Sequence, residues 1–421
     1  MTLAAVPPDL LPAGALQPVR PAYGVGSLAD LLPSVCAVLG VPGAVDVLGL
    51  GDRLAGVSRI GVLLVDGLGA HQVPVAAPYA PVLKDLAAAA AAAAVASGAA
   101  AVASGAAAVA SGAVALTAGV AALTAGFPST TPVSLATLGT GARPGEHGIL
   151  GFTARRPDGR ILNHVHWGDD PDPRAWQPLP TRFEAAAAAG VAVTAITRPE
   201  FESSGLTIAA NRGAAFVGAT TGDELAERLI AVLSAATGPA LVYAYHPDLD
   251  KAGHESGVDS AAWRVAASGV DRLLDRVVHA LPPGSALLVV ADHGQLNVPP
   301  GDRYDMADIP ALRQGVTGVA GEPRVRYLYV ADGALDDVVS AWRAVLGASA
   351  WVLTRDEVID GGWFGPVSPA HVDRIGDVAV ICLDRVIALA GGWDPVAVGR
   401  LVAYHGSVTA AEMLVPLLIA R

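Results

Sequence analysis

Cysteine and charged residues are scarce in this sequence. Only Cys36 and Cys382 occur among 421 residues, too few for a disulfide framework or a thiolate metal site, which fits a reducing compartment. Charged residues make up 16% of the chain and hydrophobic residues 52%, so the chain can bury a large core. Lys and Arg total 27 against 39 Asp and Glu, and no basic cluster could follow a phosphate backbone. We therefore expect no nucleic-acid polymer as a partner.

The N-terminal sequence lacks the pattern of a secretion signal. No basic region precedes an unbroken apolar run, and Pro7, Pro8 and Pro12 would interrupt one. We therefore predict a cytoplasmic protein. We further predict that residues 1–58 form an N-terminal segment that packs on the core, and that residues 59–421 form a single catalytic domain.

One stretch is unlike the rest because it has no charge and is rich in alanine. No charged residue lies between Asp85 and Arg143, and a seven-residue unit repeats Val or Leu from Val95 to Leu123. We predict a low-complexity insertion at residues 87–126, with an interaction helix as the alternative. A membrane span is not expected, because serines dilute the repeat and it has neither basic flanks nor an aromatic belt.

Elsewhere short apolar runs alternate with helical periodicity. Continuous apolar runs are typical of strands that are buried on both faces. The predicted strands are Ile60–Val65, Val191–Ile196, Ala240–Tyr245 and Ala286–Ala291, and helical patterns lie at Thr221–Ala236 and Ala261–Ala280. This order predicts an α/β fold with a central, mostly parallel sheet flanked by helices.

Polar residues follow three of these strands, where an α/β sheet forms its sites. The ends of the strands carry Asp66, then Asp250 with His254, and finally Asp292 with His293. Several carboxylates brought together would repel one another, so a divalent cation is the expected partner. Mixed imidazole and carboxylate ligands favour Zn²⁺ and leave Mn²⁺ or Fe open.

A segment rich in hydroxyl groups follows the alanine-rich stretch. Ser129, Thr130 and Thr131 precede an apparently helical run, which places Thr131 near a helix N-terminus, where backbone N–H groups attract anions. A nucleophile is one interpretation. Plain N-capping by Ser129 or Thr130 is the other.

Six short motifs follow one another along the chain. They are Asp66-Gly67, Phe127-Pro-Ser-Thr-Thr131, Gly141-Ala-Arg-Pro-Gly-Glu-His147-Gly148, Asp250-Lys-Ala-Gly-His254, Asp292-His293-Gly294 and Tyr404-His405-Gly406-Ser407. In this order they resemble the alkaline phosphatase superfamily, and within it the type I phosphodiesterase/nucleotide pyrophosphatase group. The resemblance implies the alkaline-phosphatase-like sandwich fold.

The resemblance also implies two zinc sites and a nucleophile. By motif, one ion would be held by Asp250, His254 and His405. The other would be held by Asp66, Asp292, His293 and the hydroxyl of Thr131. Thr131 is implied as the nucleophile because family members place it ten residues before the glycine of a Thr-Gly pair, here Gly141.

The sequence departs from the family at the position that holds a phosphate oxygen. Diesterase relatives carry an Asn shortly after the His-Gly motif, whereas His147-Gly148 is followed here by Ile-Leu-Gly-Phe152-Thr153, leaving Thr153 or a backbone amide as candidates. The active-site Arg of monoesterases and the sulfatase motif are both missing from the sequence, which favours a diester.

The predicted function is therefore hydrolysis of phosphodiester or pyrophosphate bonds through a threonyl-phosphate intermediate. The expected substrate is a small phosphate ester such as a nucleotide, with a specificity insertion at about residues 153–185. Hydrolysis of phosphomonoesters or phosphonates is the alternative on the same scaffold. An inactive or membrane-associated interaction protein is the alternative from another class, and the oligomeric state is left open.

Overall fold

A computed structural model describes residues 11–12, 14–96, 115–117, 120–168 and 171–421 of the chain. In chain order the strands are β1 (Arg59–Val65), β2 (Ala115–Thr117), β3 (Val120–Thr124), β4 (Thr153–Arg155), β5 (Ile161–Asn163), β6 (Ala192–Thr197), β7 (Ala215–Gly218), β8 (Ala240–His246), β9 (Ser285–Val290), β10 (Leu296–Asn297), β11 (Arg303–Asp305), β12 (Val316–Glu322), β13 (Val325–Val330), β14 (Ala350–Thr354), β15 (Val378–Cys382), β16 (Ile387–Leu389), β17 (Ala403–Tyr404) and β18 (Leu414–Ala420).

The α-helices alternate with these strands along most of the chain. In chain order they are α1 (Leu28–Val38), α2 (Leu50–Arg53), α3 (Val73–Ala76), α4 (Pro81–Ala96), α5 (Thr131–Thr140), α6 (Pro144–His147), α7 (Pro173–Trp176), α8 (Arg182–Ala188), α9 (Gly205–Asn211), α10 (Gly222–Ala235), α11 (Asp248–Ser256), α12 (Ala261–His279), α13 (Pro310–Arg313), α14 (Leu335–Leu346), α15 (Arg355–Asp360) and α16 (Ala410–Met413).

The central sheet has eight strands in the order β2-β3-β18-β9-β1-β8-β6-β7. The five strands from β9 to β7 are parallel, while β18, β3 and β2 pair antiparallel at the other edge. All residues from Ile60 to Val65 of β1 are buried, because helices such as α10 and α12 pack on the sheet and share its hydrophobic core. The prediction of an α/β fold with a central, mostly parallel sheet flanked by helices is confirmed.

A second, smaller sheet packs beside the first. Its strands are antiparallel in the order β12-β13-β15-β14, and α14 covers one of its faces through Val338 and Trp342. A buried ion pair joins this sheet to the chain that leads into β18. Arg324 donates to both oxygens of Glu412 at 2.9 and 2.7 Å, and neither side chain is exposed. Removing one partner of such a pair would leave the other charge buried without compensation. Loss of either side chain should therefore destabilise the contact between the second sheet and the segment that leads into β18.

The ends of the predicted insertion at 87–126 belong to elements of the core. In α4 the side chains of Ala87, Ala90 and Ala94 are buried against the central sheet, where a small apolar residue permits close packing. At the other end, β3 pairs antiparallel with β18. The stretch therefore contributes a core helix and a core strand, and the central part of the seven-residue repeat lies outside the described residues.

The part of the N-terminal segment that the structure describes packs on the same core. Leu28, Leu31 and Leu32 of α1 are completely buried, and Val19 N–H donates to Val408 O at 2.7 Å. Across the described ranges, the helices are too short or too polar to cross a lipid bilayer.

Candidate active site

Three parallel strands bring the predicted acidic residues to one edge of the central sheet. In the ladder, Val65 of β1 pairs with His246 of β8, and Leu64 pairs with Val290 of β9. Asp66 therefore follows β1 at the level where Asp292 follows β9, and Gly67 N–H donates to Asp292 Oδ1 at 3.2 Å. Crossover connections between parallel strands thus assemble at one edge what lies far apart in the sequence.

The glycine of the Asp66-Gly67 motif has a steric reason. Gly67 has a φ of +73°, and a Cβ there would lie 3.0 Å from the Cα of Asp250. Any other residue would be strained and would push the start of α11 away from the sheet. Gly67 thereby allows Asp250 to approach Asp66.

Thr131 occupies the first turn of α5, which begins directly at this edge. Its Oγ1 lies 3.1 Å from His293 Nε2, and Ser134 in the same helix donates to Asp292 O at 2.7 Å. Thr130 is at the N-cap position without a side-chain capping bond, and the Ser129 hydroxyl donates to Ser407 O at 2.6 Å. N-capping therefore does not account for the hydroxyl-rich segment.

The three predicted histidines point their Nε2 atoms at one another and at the carboxylates. Nδ1 of His254 lies 2.8 Å from Ala403 O, and Nδ1 of His405 lies 3.1 Å from Ser129 O. Those contacts assign the ring protons to Nδ1, so both Nε2 atoms carry lone pairs although they are 3.2 Å apart. This arrangement of facing lone pairs is typical of histidines that bind a cation between them.

The carboxylates close the same cluster. His293 Nε2 lies 3.6 Å from Asp66 Oδ1 and 3.3 Å from Asp292 Oδ2, and both of these oxygens are buried without a hydrogen-bond partner among the described residues. On the other side, His254 Nε2 lies 3.3 Å from Asp250 Oδ2 within α11. Two triads have their ligand atoms within 4.8 Å of one another: Asp66, Asp292 and His293, and Asp250, His293 and His405.

Burial in the cluster favours the uncharged forms of Asp66, Asp250 and His405. Burial, with the charges of Asp292 and Asp250, raises the pKa of Asp66 well above its usual range. Burial also raises the pKa of Asp250, although His254 and His293 oppose the shift. The pKa of His405 is lowered well below its usual value by burial and by the other two imidazoles. A bound divalent cation would reverse the preference of the two carboxyl groups for the protonated form and would favour the neutral form of His405 further.

Residues from distant parts of the chain support the carboxylates. The Tyr245 hydroxyl donates to Asp66, and Gln295 donates through Nε2 to the side chain of Asp250 and, at 3.0 Å, to its carbonyl. Neither residue was predicted from the sequence. The only signal for Tyr245 is its place at the end of β8, and Gln295 has none beyond following the Asp292-His293-Gly294 motif.

A cavity of about 340 Å³ opens beside Thr131. Its walls are largely apolar and are formed by Leu135, Phe152, Val165, Phe201, Leu206 and Tyr245. Phe201 and Tyr245 form an aromatic pair with ring centroids 6.2 Å apart. The polar side chains of Asn211 and Lys251 also line the cavity, and sequence reasoning singled out neither of them. Together these walls can receive an organic substituent while the Asn211 amide and the Lys251 ammonium offer donors to an anion.

Thr153 does not join Thr131 in this cavity. Its hydroxyl donates to Gly321 O at 2.9 Å, which commits it to the neighbouring hairpin of β12 and β13. The sequence-based suggestion of Thr153 as a phosphate-oxygen donor is therefore not supported by its position. Val165, from the segment predicted as a specificity insertion, does line the cavity.

A comparison with family models identifies the chain. The model for type I phosphodiesterase / nucleotide pyrophosphatase matches residues 62–407. The chain therefore belongs to this family of the alkaline phosphatase superfamily, whose members are hydrolases. No curated protein matches the chain significantly.

Solved structures with the same fold include eukaryotic and bacterial proteins. Murine ectonucleotide pyrophosphatase / phosphodiesterase 5 is 16% identical with a TM-score of 0.64, covering 86% of this chain and 87% of its own. An inactive threonine-to-alanine variant of it, in complex with AMP, has a TM-score of 0.63 at 16% identity, covering 86% of this chain and 88% of its own. Phosphonoacetate hydrolase from Sinorhizobium meliloti 1021, in complex with phosphonoformate, is 18% identical with a TM-score of 0.62, covering 87% of this chain and 91% of its own. At these identities the similarity establishes the fold.

Proposed function

We propose that this hydrolase cleaves phosphodiester or pyrophosphate bonds with Thr131 as a covalent nucleophile beside a pair of metal ions. The observation that carries the proposal is the position of Thr131 Oγ1, which lies 3.1 Å from His293 Nε2 at the rim of the buried carboxylate and imidazole cluster. Family membership and the clustering of Asp66, Asp250, Asp292, His293 and His405 favour an enzyme over an inactive interaction protein.

The side chains fit two divalent cations. Asp250, His254 and His405 would hold one ion, and Asp66, Asp292, His293 and Thr131 Oγ1 would hold the other. The oxygens of Asp66 and Asp292 that have no hydrogen-bond partner among the described residues support this assignment, because a bound cation would stabilise buried carboxylates that lack donors. When bound, such ions supply a lowered hydroxyl pKa for the nucleophile and neutralise charge on the leaving oxygen. The donor set favours Zn²⁺, with Mn²⁺ or Fe as alternatives.

Thr131 acts first in the proposed reaction. Its hydroxyl oxygen loses its proton and bonds to phosphorus in line with the ester bond that breaks, so the leaving group departs with the bonding electrons and then takes up a proton. The product is a threonyl-phosphate ester. Water then attacks the same phosphorus, which restores the Thr131 hydroxyl and releases the phosphate product.

The surroundings of Thr131 favour a phosphate ester that carries an apolar or aromatic substituent. The apolar walls of the 340 Å³ cavity can bury such a substituent. Its aromatic pair, Phe201 and Tyr245, can stack on a ring, and the murine protein of the same fold is known in complex with AMP. A nucleotide is therefore a reasonable first substrate to assay. The cytoplasmic location remains a prediction from the sequence.

Hydrolysis of bis-p-nitrophenyl phosphate against p-nitrophenyl phosphate tests the proposal. We expect the zinc-loaded protein to hydrolyse the diester with a kcat/KM at least about tenfold above that of the monoester, since the second aryl group gains contacts only with the diester. Phosphonoacetate serves as a third substrate. A preference for the monoester or for phosphonoacetate would replace the proposed reaction with another on the same scaffold.

A further inference from the structure

A second, smaller cavity adjoins the Thr131 cavity. It has a volume of about 140 Å³ and lies between the histidine side of the metal cluster and the hairpin of β12 and β13. The two cavities share the walls formed by Phe152, His254, Leu401 and His405. A substituent on a phosphate held at Thr131 can therefore extend into the second cavity.

Glu322, at the end of β12, lines this cavity, and one oxygen of its carboxyl group has no hydrogen-bond partner among the described residues. The residue is only 5% exposed, and its Oε1 accepts no hydrogen bond from any described residue. The turn that carries His405 lies directly against it, because a Cβ on Gly406 would be 2.7 Å from Glu322 Cδ. A buried carboxyl oxygen without a donor costs free energy unless a ligand supplies one.

The charged neighbours in this cavity are already paired. Both terminal nitrogens of Arg326 donate to the carboxylate of Asp394, and its Nε donates to Ala388 O at 2.7 Å. The Tyr404 hydroxyl donates to Val398 O at 2.8 Å. The donors of these side chains are already hydrogen-bonded to other groups. A ligand in the cavity could therefore supply the donor that Glu322 Oε1 lacks.

Asn163 contributes the complementary group. Its Oδ1 accepts hydrogen bonds from Val165 N at 2.9 Å and His166 N at 3.0 Å, so the amide can offer a ligand its Nδ2 donor. The cavity thus presents a hydrogen-bond acceptor on one wall, Glu322 Oε1, and a hydrogen-bond donor on another wall, the Asn163 amide.

We propose that this second cavity is a subsite for a short aminoalkyl or hydroxyalkyl substituent of the substrate, with Glu322 accepting the hydrogen bond of its ammonium or hydroxyl group. The proposal rests on the proposed phosphodiesterase function. It narrows the substrate class to diesters in which two or three carbon atoms of one alcohol separate a hydrogen-bond donor from the ester oxygen.

Binding of matched esters to the zinc-loaded Thr131→Ala variant tests the subsite without turnover. The probes are p-nitrophenyl phosphates that carry a 2-aminoethyl, a 2-hydroxyethyl or an ethyl group, and calorimetry gives each Kd. We expect the 2-aminoethyl ester to bind about tenfold or more tightly than the ethyl ester, because a charged hydrogen bond replaces an unpaired acceptor. Adding Glu322→Gln should remove this preference, whereas Glu255→Gln, on the exposed side of α11, should preserve it.

The outcomes separate the subsite from the reaction. Preference for the 2-hydroxyethyl ester alone supports the subsite and assigns it to a hydroxyl group. Equal binding of all three esters overturns the subsite, and so does a preference that survives Glu322→Gln. If the subsite is overturned, turnover of the ethyl ester by the wild-type protein shows whether the proposed hydrolase activity is nevertheless correct. If Glu322→Gln fails to fold, the three Kd values in the Thr131→Ala background still decide.

Discussion

Thr131→Ala should abolish turnover of bis-p-nitrophenyl phosphate, lowering kcat by about 10³-fold or more. The substitution removes the only atom of this residue that could bond to phosphorus, and it leaves the first turn of α5 otherwise intact because alanine is a good helix former. Steady-state rates with zinc-loaded wild-type and variant proteins measure the effect, with metal content determined on the same samples. Thr131→Ser, which keeps a hydroxyl, should retain part of the activity.

Thr130→Ala is the matched control for this experiment. Thr130 is the neighbouring hydroxyl residue, it is fully buried, and its Oγ1 has no hydrogen-bond partner among the described residues. Its loss should change kcat by only a few-fold. If Thr130→Ala lost as much activity as Thr131→Ala, or if Thr131→Ala stayed active with a normal metal content, the assignment of the nucleophile would be wrong.

Metal removal should have the second large effect, because the proposed reaction depends on metal ions held by the carboxylates and imidazoles of the cluster. Protein from which a chelator has removed the metal should show no measurable turnover, and added Zn²⁺ should restore turnover. Elemental analysis of the active protein should find two metal ions per chain. Asp292→Asn removes the charge of a completely buried ligand and should retain less metal than the wild type. Full turnover by a metal-free protein would contradict the proposal.

Metal removal should also make stability depend on pH in a definite direction. The folded-state pKa values of Asp66 and Asp250 are raised, so at these two groups the metal-free folded protein binds more protons than the unfolded chain, whereas His405 acts in the opposite direction. Their contribution is fully present below about pH 4, the ordinary pKa of aspartate, and is lost as the pH rises through the raised values. Thermal unfolding should therefore show that Zn²⁺ stabilises the protein more at pH 7 than at pH 5.

The central sheet could be predicted because its strands are continuous apolar runs. The bounds of β1, β8 and β9 lie within one residue of the predicted bounds. Polar residues of the site follow shortly after each of these strands. The second sheet was harder to predict, because β12 contains several small residues and its register with β13 shifts between Val316 and Gly318. The alanine-rich composition also concealed the core role of α4 and β3, since alanine carries little hydrophobic signal.

The carboxylates and imidazoles of the cluster could be singled out from the sequence because they lie in short motifs. The residues that support them could not, since their roles depend on neighbours far away in the chain. Tyr245 reaches Asp66 across 179 positions, and Gln295 meets Asp250 across 45. Glu322 likewise comes to His405 only through the packing of the second sheet, and its sequence context shows no catalytic motif.

The stereochemistry at phosphorus tests the central claim most directly. A chiral phosphorothioate diester can be hydrolysed in isotopically labelled water and the configuration of the product determined. A threonyl-phosphate formed and hydrolysed by two in-line displacements predicts retention of configuration, because each displacement inverts phosphorus once. Inversion would show that water attacks the substrate directly, and Thr131 could then not be the covalent nucleophile.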